Sequence, residues 1–239
     1  MKKKEYILHY DMVFGNVLSL IILVLMVIIT FVVINLNDSF VFSNLNYDTF
    51  IWDFILFYIL MFGWMILHEI IHAIAYRLNG AKKDSIVFGV ALEKGVFYCK
   101  CRDYISKKCV MISLIAPFLV IGVITYVIGF LINSLFLISL SIINICGASC
   151  DLMMFIFFLK QKNDVEFKEL GFSSPFCLRT SDNLENKKFI GIKNIHLVKD
   201  INETIEPPEK KITISKFSWI ILTILAVMML LILLLNIFL

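Results

Sequence analysis

The chain alternates long apolar runs with short polar segments. Five runs exceed about twenty residues, the length that an α-helix needs to cross a hydrocarbon core of about 30 Å. They occupy residues 12–34, 50–78, 110–132, 134–159 and 217–239. The first run is too long for the core of a signal peptide and lacks a small-residue cleavage site, so we interpret it as an uncleaved span. The pattern predicts an all-α polytopic membrane protein with about five transmembrane helices.

Basic residues indicate the orientation of these spans. The 22 Lys and Arg residues fall in three segments, at residues 2–4, 77–108 and 160–216. Because basic residues near span ends stay in the cytoplasm, we expect a cytoplasmic N-terminus and an extracytoplasmic C-terminus in the cell membrane. The net charge of +3 reflects juxtamembrane residues that face anionic lipid, and it gives no indication of nucleic-acid binding.

Two polar segments lie on the predicted cytoplasmic side. Residues 84–101 contain two short β-branched and aromatic runs, which predict a small β-hairpin; it is either a packed flap or an edge strand offered to an extended peptide. Residues 161–216 carry turn signals and are interpreted as a small insertion of unknown role. The sequence therefore divides into four predicted parts. These are an N-terminal span with an outer loop (residues 1–49), a membrane core (50–160), this insertion (161–216) and a C-terminal span (217–239).

The second run contains the sequence His-Glu-Ile-Ile-His at residues 68–72. Histidines four residues apart lie on one face of a helix, where both imidazoles can bind one Zn²⁺. Glu69 is displaced by about 100° around the helix and can act as general base on a water molecule. Ionisable side chains deep in a membrane are costly and are usually functional. The segment therefore predicts a metal site rather than a pair of helix-contact histidines.

A catalytic zinc site needs a third protein ligand. His68 lies nine residues before Arg77, and Asp151 lies nine residues before Lys160. Since both spans are predicted to run from outside to inside, both side chains lie about 13 Å from the basic end of their helix. Zn²⁺ with neutral imidazoles and ionised Asp151 and Glu69 is also electrically neutral, which removes the cost of isolated carboxylates in lipid. We therefore predict Asp151 as the third ligand.

Other side chains remain candidates for this third position. Cys146 and Cys150 lie on the same predicted helix as Asp151, although small thiols in a span more often serve as packing residues. His9 precedes the first span, and His196 lies in the insertion. We expect all six cysteines to be free thiols, because they lie on the reducing side or inside a span.

The chain is similar to a family of zincin-type peptidases of bacterial membranes. The resemblance covers roughly residues 60 to 160 and is carried by "HEIIHA", by "LIAPF" in the next run and by N-x-x-G-x-x-x-D in the following one. The layout more distantly resembles site-two proteases. This resemblance implies zinc binding by His68, His72 and Asp151, catalysis by Glu69 and contact of Asn144 with the substrate backbone.

These features together predict a membrane-embedded zinc metallopeptidase that acts on a membrane-associated protein or peptide. Pro117 lacks an amide hydrogen and should loosen the third span, which either opens water access or is an ordinary kink. The alternative function is a non-catalytic membrane scaffold or regulator whose structural metal site is closed by a fourth protein ligand such as Cys150. A metal transporter fits less well, because one site provides no row of ligands across the membrane.

Overall fold

The structure, a computed structural model, describes residues 3–36, 50–91, 96–170, 176–185 and 187–198. These residues form α-helices and two antiparallel β-sheets. The fold is therefore mixed α/β, and the prediction of an all-α fold is wrong. The predicted last span, residues 217–239, lies outside the described residues.

Within the described residues, three helical segments are long and apolar enough to cross a membrane. They correspond to α1 (Met12–Leu36), to α2 (Phe50–Leu78) and to α3 (Lys107–Pro117) with its continuation. The continuation is a π-helical stretch, Phe118–Ile124, followed by α4 (Thr125–Leu131). Large apolar side chains are exposed along α1 and α2, as expected for helices that face lipid.

The fourth predicted span is broken in two. Helices α5 (Leu135–Gly147) and α6 (Ser149–Leu159) meet at Ala148 with a bend of 48°. The hydroxyl of Ser134 caps α5 by accepting a hydrogen bond from the amide of Leu137. The break gives α6 its own N-terminus, where the aligned peptide dipoles favour a negative charge. Asp151 lies in this first turn of α6.

Residues 86–101 contain the predicted hairpin. Strands β2 (Ile86–Ala91) and β3 (Val96–Cys101) pair antiparallel, with Ile86 opposite Cys101 and Phe88 opposite Cys99. The connecting residues 92–95 lie outside the described residues. A 3₁₀ turn at Lys83–Ser85 precedes the hairpin, and β3 contacts α2 where the amide of Cys99 bonds Glu69.

A five-stranded antiparallel sheet is the element that the sequence did not predict. Its strands are β1 (Lys4–Tyr10), β4 (Ile105–Ser106), β5 (Glu166–Glu169), β6 (Phe176–Thr180) and β7 (Ile192–Leu197), in the spatial order β4-β5-β6-β1-β7. Three of the strands come from the predicted insertion, and the strand between β6 and β7 comes from the N-terminus. The insertion is therefore part of a sheet that includes residues more than 150 positions earlier in the chain.

One face of this sheet packs against the ends of α2, α3 and α6. The shared core contains Tyr6, Leu8, Phe167 and Leu178 from the sheet and Tyr76, Val110 and Phe158 from the helices. The rings of Phe158 and Phe167 meet edge to face at 5.3 Å. Burial of each large apolar side chain contributes roughly 1.5–3 kcal/mol. The sheet thus fixes the relative positions of the helices that carry the candidate site.

Candidate metal centre

Helix α2 brings His68 and His72 together on one face. Their Nε2 atoms lie 3.0 Å apart, and the ring centroids are separated by 4.7 Å. His72 is buried and His68 is partly buried. This is the arrangement expected for histidines separated by one helical turn.

Helix α6 adds the carboxylate of Asp151 to this pair. Its Oδ2 lies 3.1 Å from Nε2 of His68 and 3.4 Å from Nε2 of His72. The position of Asp151 at the N-terminus of α6 stabilises the ionised form through the helix dipole. The structure therefore brings together the three side chains that the sequence predicted as metal ligands.

Asn144 of α5 fixes the orientation of the His68 ring. Its Oδ1 lies 2.9 Å from Nδ1 of His68, and its Nδ2 donates to the carbonyl of Pro117 at 3.2 Å. Because a carbonyl oxygen only accepts hydrogen bonds, this second contact orients the amide with Oδ1 towards His68. The proton of the neutral His68 ring is thus on Nδ1, and Nε2 carries a lone pair.

The main-chain carbonyl of Ser113 in α3 fixes the orientation of the His72 ring. Pro117 has no amide hydrogen to bond the carbonyl four residues before it, and the amide of Phe118 bonds to Ile115 instead. The carbonyl of Ser113 accepts a hydrogen bond from Nδ1 of His72 at 2.9 Å. The hydroxyl of Ser113 also donates to the carbonyl of His72 at 3.1 Å. The lone pair of His72 therefore also resides on Nε2.

Three electron-rich atoms consequently face one another in a partly buried site. The two Nε2 atoms and Oδ2 of Asp151 are separated by 3.0, 3.1 and 3.4 Å. Two imidazole lone pairs and a carboxylate oxygen at these distances repel one another, so a bound cation would stabilise the arrangement. Tetrahedral Zn²⁺, with ligand bonds of about 2.0–2.1 Å, has ligand atoms about 3.3 Å apart. The donor set and its spacing fit zinc.

Glu69 lies beside this centre and is held by the hairpin. Its Oε2 accepts a hydrogen bond from the amide of Cys99 in β3 at 2.6 Å, and the carboxylate lies within 4.8 Å of a ring nitrogen of both histidines. Burial and the Glu69 carboxylate raise the pKa of the Cys99 thiol to about 12, so this thiol is neutral. The contact with Cys99 is therefore to its main-chain amide, and it holds the Glu69 carboxylate beside the candidate metal ligands.

The rival ligands lie elsewhere. Sγ of Cys150 is adjacent to α1, where it would lie 2.8 Å from a Cβ added at Gly15. Cys146 is buried in an apolar cluster with residues of α1. His9 and His196 lie on β1 and β7 of the five-stranded sheet, where their rings contact each other.

Sequence reasoning missed the roles of Ser113 and of the Cys99 amide. Both act through main-chain atoms, which carry no residue-type signal. Pro117 was the sequence signal that could have identified the Ser113 carbonyl. A proline in a helix leaves the carbonyl four residues before it without its amide donor. Contact of Asn144 with a substrate backbone stays a prediction, and the structure places its amide against His68 and Pro117.

A comparison with protein families matches part of the chain. Residues 61–165 match a family model described as "Putative zincin peptidase". The matched segment covers less than half of the chain and contains the candidate metal ligands together with Glu69 and Asn144. No curated protein and no solved structure matches. The match supports the resemblance seen in the sequence, whereas the more distant similarity to site-two proteases stays a prediction.

Proposed function

We propose that the protein is a membrane-embedded zinc metallopeptidase that hydrolyses a peptide bond in a membrane-associated protein or peptide. The observation that most supports this proposal is the convergence of two Nε2 lone pairs and a carboxylate oxygen within 3.4 Å. Second-sphere hydrogen bonds that direct the ring protons away from the centre are typical of metal-binding histidines.

His68, His72 and Asp151 would hold the zinc ion. Bound zinc supplies a Lewis acid that polarises a peptide carbonyl and lowers the pKa of water. Asn144 and Ser113 keep both imidazoles in the tautomer that exposes Nε2, so no proton has to leave the rings before zinc binds. The ligand atoms are already spaced for tetrahedral coordination, which limits the rearrangement on binding.

Glu69 would act as the general base and then as the general acid. The amide of Cys99 holds Oε2 at 2.6 Å, which leaves the other carboxylate oxygen to take a proton from the attacking water. Return of this proton to the leaving amine completes hydrolysis of the peptide bond. Because β3 orients the carboxylate, the hairpin is a positioning element for the reaction.

Membrane embedding rests on the three helices that are long and apolar enough to span a bilayer. Two of them, α2 and the α3–α4 segment, carry His68, His72 and Ser113. Arg77 lies in the last turn of α2, nine residues after His68, and Lys160 follows α6. Basic residues at these ends favour a site in the cytoplasmic half of the membrane.

Metal content and cleavage together test the proposal. We would measure zinc by elemental analysis in detergent-purified wild type and in His68→Ala, Asp151→Ala and Glu69→Gln. We expect close to one zinc ion per chain at this centre in the wild type and in Glu69→Gln, and its loss in the other two variants. Helical content by circular dichroism controls for folding.

Cleavage is then measured in cells that express either the wild type or Glu69→Gln. New protein N-termini, quantified by mass spectrometry, should appear with the wild type and be absent with Glu69→Gln. Zinc bound at the centre with no Glu69-dependent N-termini would favour the scaffold or regulator. Well-folded protein that binds no zinc at the centre would refute the metallopeptidase.

A further inference from the structure

The two histidines outside the metal centre form a second pair. His9 lies on β1 and His196 on β7, the strand beside it at the edge of the sheet. Their rings contact edge to face, with centroids 5.9 Å apart and planes at 81°. The chain has four histidines, so the fold arranges all of them in two pairs.

The strand register places this pair on the outer face of the sheet. Tyr6 and Leu8 of β1 are fully buried against the helices, so the alternate residue His9 faces away from the core. His9 is opposite Asn194 in β7, and His196 is two positions further along β7. The histidines are therefore diagonal neighbours on one face. His196 is exposed and His9 is half-buried, which leaves the pair accessible from solvent.

The separation of the rings suits a single bound ion. An ion bonded to an imidazole nitrogen at about 2.0–2.1 Å lies about 3.2 Å from the centre of that ring. Two rings on one ion are then about 5.2 Å apart at a tetrahedral ligand angle and approach 6 Å at wider angles. The observed 5.9 Å lies in this range, and rotation of the exposed His196 ring would turn its nitrogen lone pair towards an ion shared with His9.

The residues around this histidine pair also favour binding of a metal cation over protonation of the rings. Partial burial, together with repulsion from His196, lowers the pKa of His9, which leaves its ring neutral with a free lone pair. Glu5, the acidic residue of β1, is already bonded by Arg179 and Tyr104, and the Asp11 carboxylate after the strand caps α1. Asn194, opposite His9 in β7, carries an amide oxygen that could add a third contact. Imidazole ligands suit Zn²⁺, Cu²⁺ and Ni²⁺.

We propose that His9 and His196 form a second metal site, on the outer face of the five-stranded sheet, for a divalent transition-metal ion. This site is independent of the proposed peptidase centre, because its ligands come from β1 and β7 and not from α2 and α6. Its two-histidine donor set would be completed by water, so it should bind more weakly and exchange faster than the three-ligand centre.

An ion at this site would reinforce the connection between the sheet and α1. Strand β1 runs into α1 through Asp11, whose carboxylate caps the helix by accepting from the amides of Val13 and Phe14 at 3.1 Å. In turn α1 contacts α6, where the hydroxyl of Ser149 donates to the carbonyl of Gly15 at 3.3 Å. Any ligand that binds the folded state alone stabilises it, here by fixing β1 to β7.

Copper titration of a variant without the first centre tests the proposal. We would prepare His68→Ala/His72→Ala without a polyhistidine tag, add Cu²⁺ and record electron paramagnetic resonance spectra. We expect one Cu²⁺ per chain with hyperfine coupling to two imidazole nitrogens. Adding either His9→Ala or His196→Ala should weaken binding at least tenfold and remove the two-nitrogen signal. Lys193→Ala changes an exposed β7 residue without removing an imidazole and serves as the matched control.

The outcomes separate this site from the peptidase centre. Copper binding that is absent from the His68→Ala/His72→Ala protein, or that persists unchanged without His9 and His196, overturns the second site. His196 is exposed, so its variant remains informative even if His9→Ala disturbs folding. A different result would show that the peptidase centre binds no zinc while the second site does. The His68→Ala protein would then contain as much zinc as the wild type, and the His196→Ala protein would contain less.

Discussion

Replacement of Pro117 by alanine should weaken metal binding while it stabilises the helix around it. The missing amide at position 117 leaves the carbonyl of Ser113 free to accept the Nδ1 proton of His72 at 2.9 Å. Alanine restores an amide that can bond this carbonyl in ordinary helical geometry. Competition for the carbonyl would loosen the His72 ring and its tautomer.

The two effects have opposite signs and comparable sizes. Loss of a second-sphere partner of a metal-binding histidine typically reduces metal affinity 10- to 100-fold, which corresponds to about 1.4–2.7 kcal/mol. Proline in a helix interior is about 3 kcal/mol less favourable than alanine. We therefore expect the metal-free Pro117→Ala protein to unfold at a higher temperature than the wild type and to bind zinc at least tenfold more weakly.

Zinc affinity is measured by competition with a chromophoric chelator in detergent, and unfolding is followed by circular dichroism. Ser113→Ala is the matched control, because it removes the hydroxyl but keeps the main-chain carbonyl that holds His72. We expect its affinity to stay within about threefold of the wild type, since the second-sphere contact persists. If Pro117→Ala binds zinc as tightly as the wild type, the Ser113 carbonyl can accept hydrogen bonds from both His72 and the new amide at position 117. That result would refute the role assigned to the proline.

Three further predictions follow from single contacts. Asn144→Ala removes the acceptor at 2.9 Å from Nδ1 of His68 and should weaken zinc binding 10- to 100-fold, whereas Asn144→Asp keeps an acceptor and should retain most of the affinity; equal losses in both would contradict this role. Gly15→Val places a Cβ where Sγ of Cys150 lies 2.8 Å away, so it should push α1 from α6 and reduce both the unfolding temperature and the zinc content. Gly63→Ala, with open space around it in α2, should lower neither, because alanine is the better helix former. Burial raises the pKa of Glu169 from 4.5 to about 8; the folded state then holds this proton more tightly than the unfolded state, so its stability falls as the pH rises from about 5 to 8. Glu169→Gln should flatten that dependence in denaturant titrations at pH 5.5 and 8.5, and an unchanged slope would exclude Glu169 as its source.

The sequence by itself determined the features that depend on local geometry. The apolar runs predicted the positions of α1, α2 and the α3–α4 segment, because a continuous apolar run of about twenty residues is typical of a single long helix. The spacing of His68 and His72 placed both rings on one helix face. Counting residues from the basic helix ends identified Asp151 as the carboxylate at the same depth, since helical rise per residue is constant.

Only the tertiary structure decided the mixed α/β fold. The central residues of β1, Tyr6 to Leu8, form a short apolar run that local pattern cannot distinguish from a helix start. Its strand partners include Arg179, opposite Glu5, and pairing over such a separation depends on burial against the helices rather than on local propensity. The prediction of an all-α protein failed for this reason.

The tertiary structure also decided how the side chains of the candidate metal centre are oriented. The tautomers of His68 and His72 depend on which atoms of α3 and α5 face α2, and on the carbonyl that Pro117 leaves free. The Cys99 amide reaches Glu69 only because β3 lies beside α2. Residue types fix which groups can bind a metal, but the direction of each lone pair is set by neighbours that packing brings together, because hydrogen bonds form between atoms close in space and not in sequence.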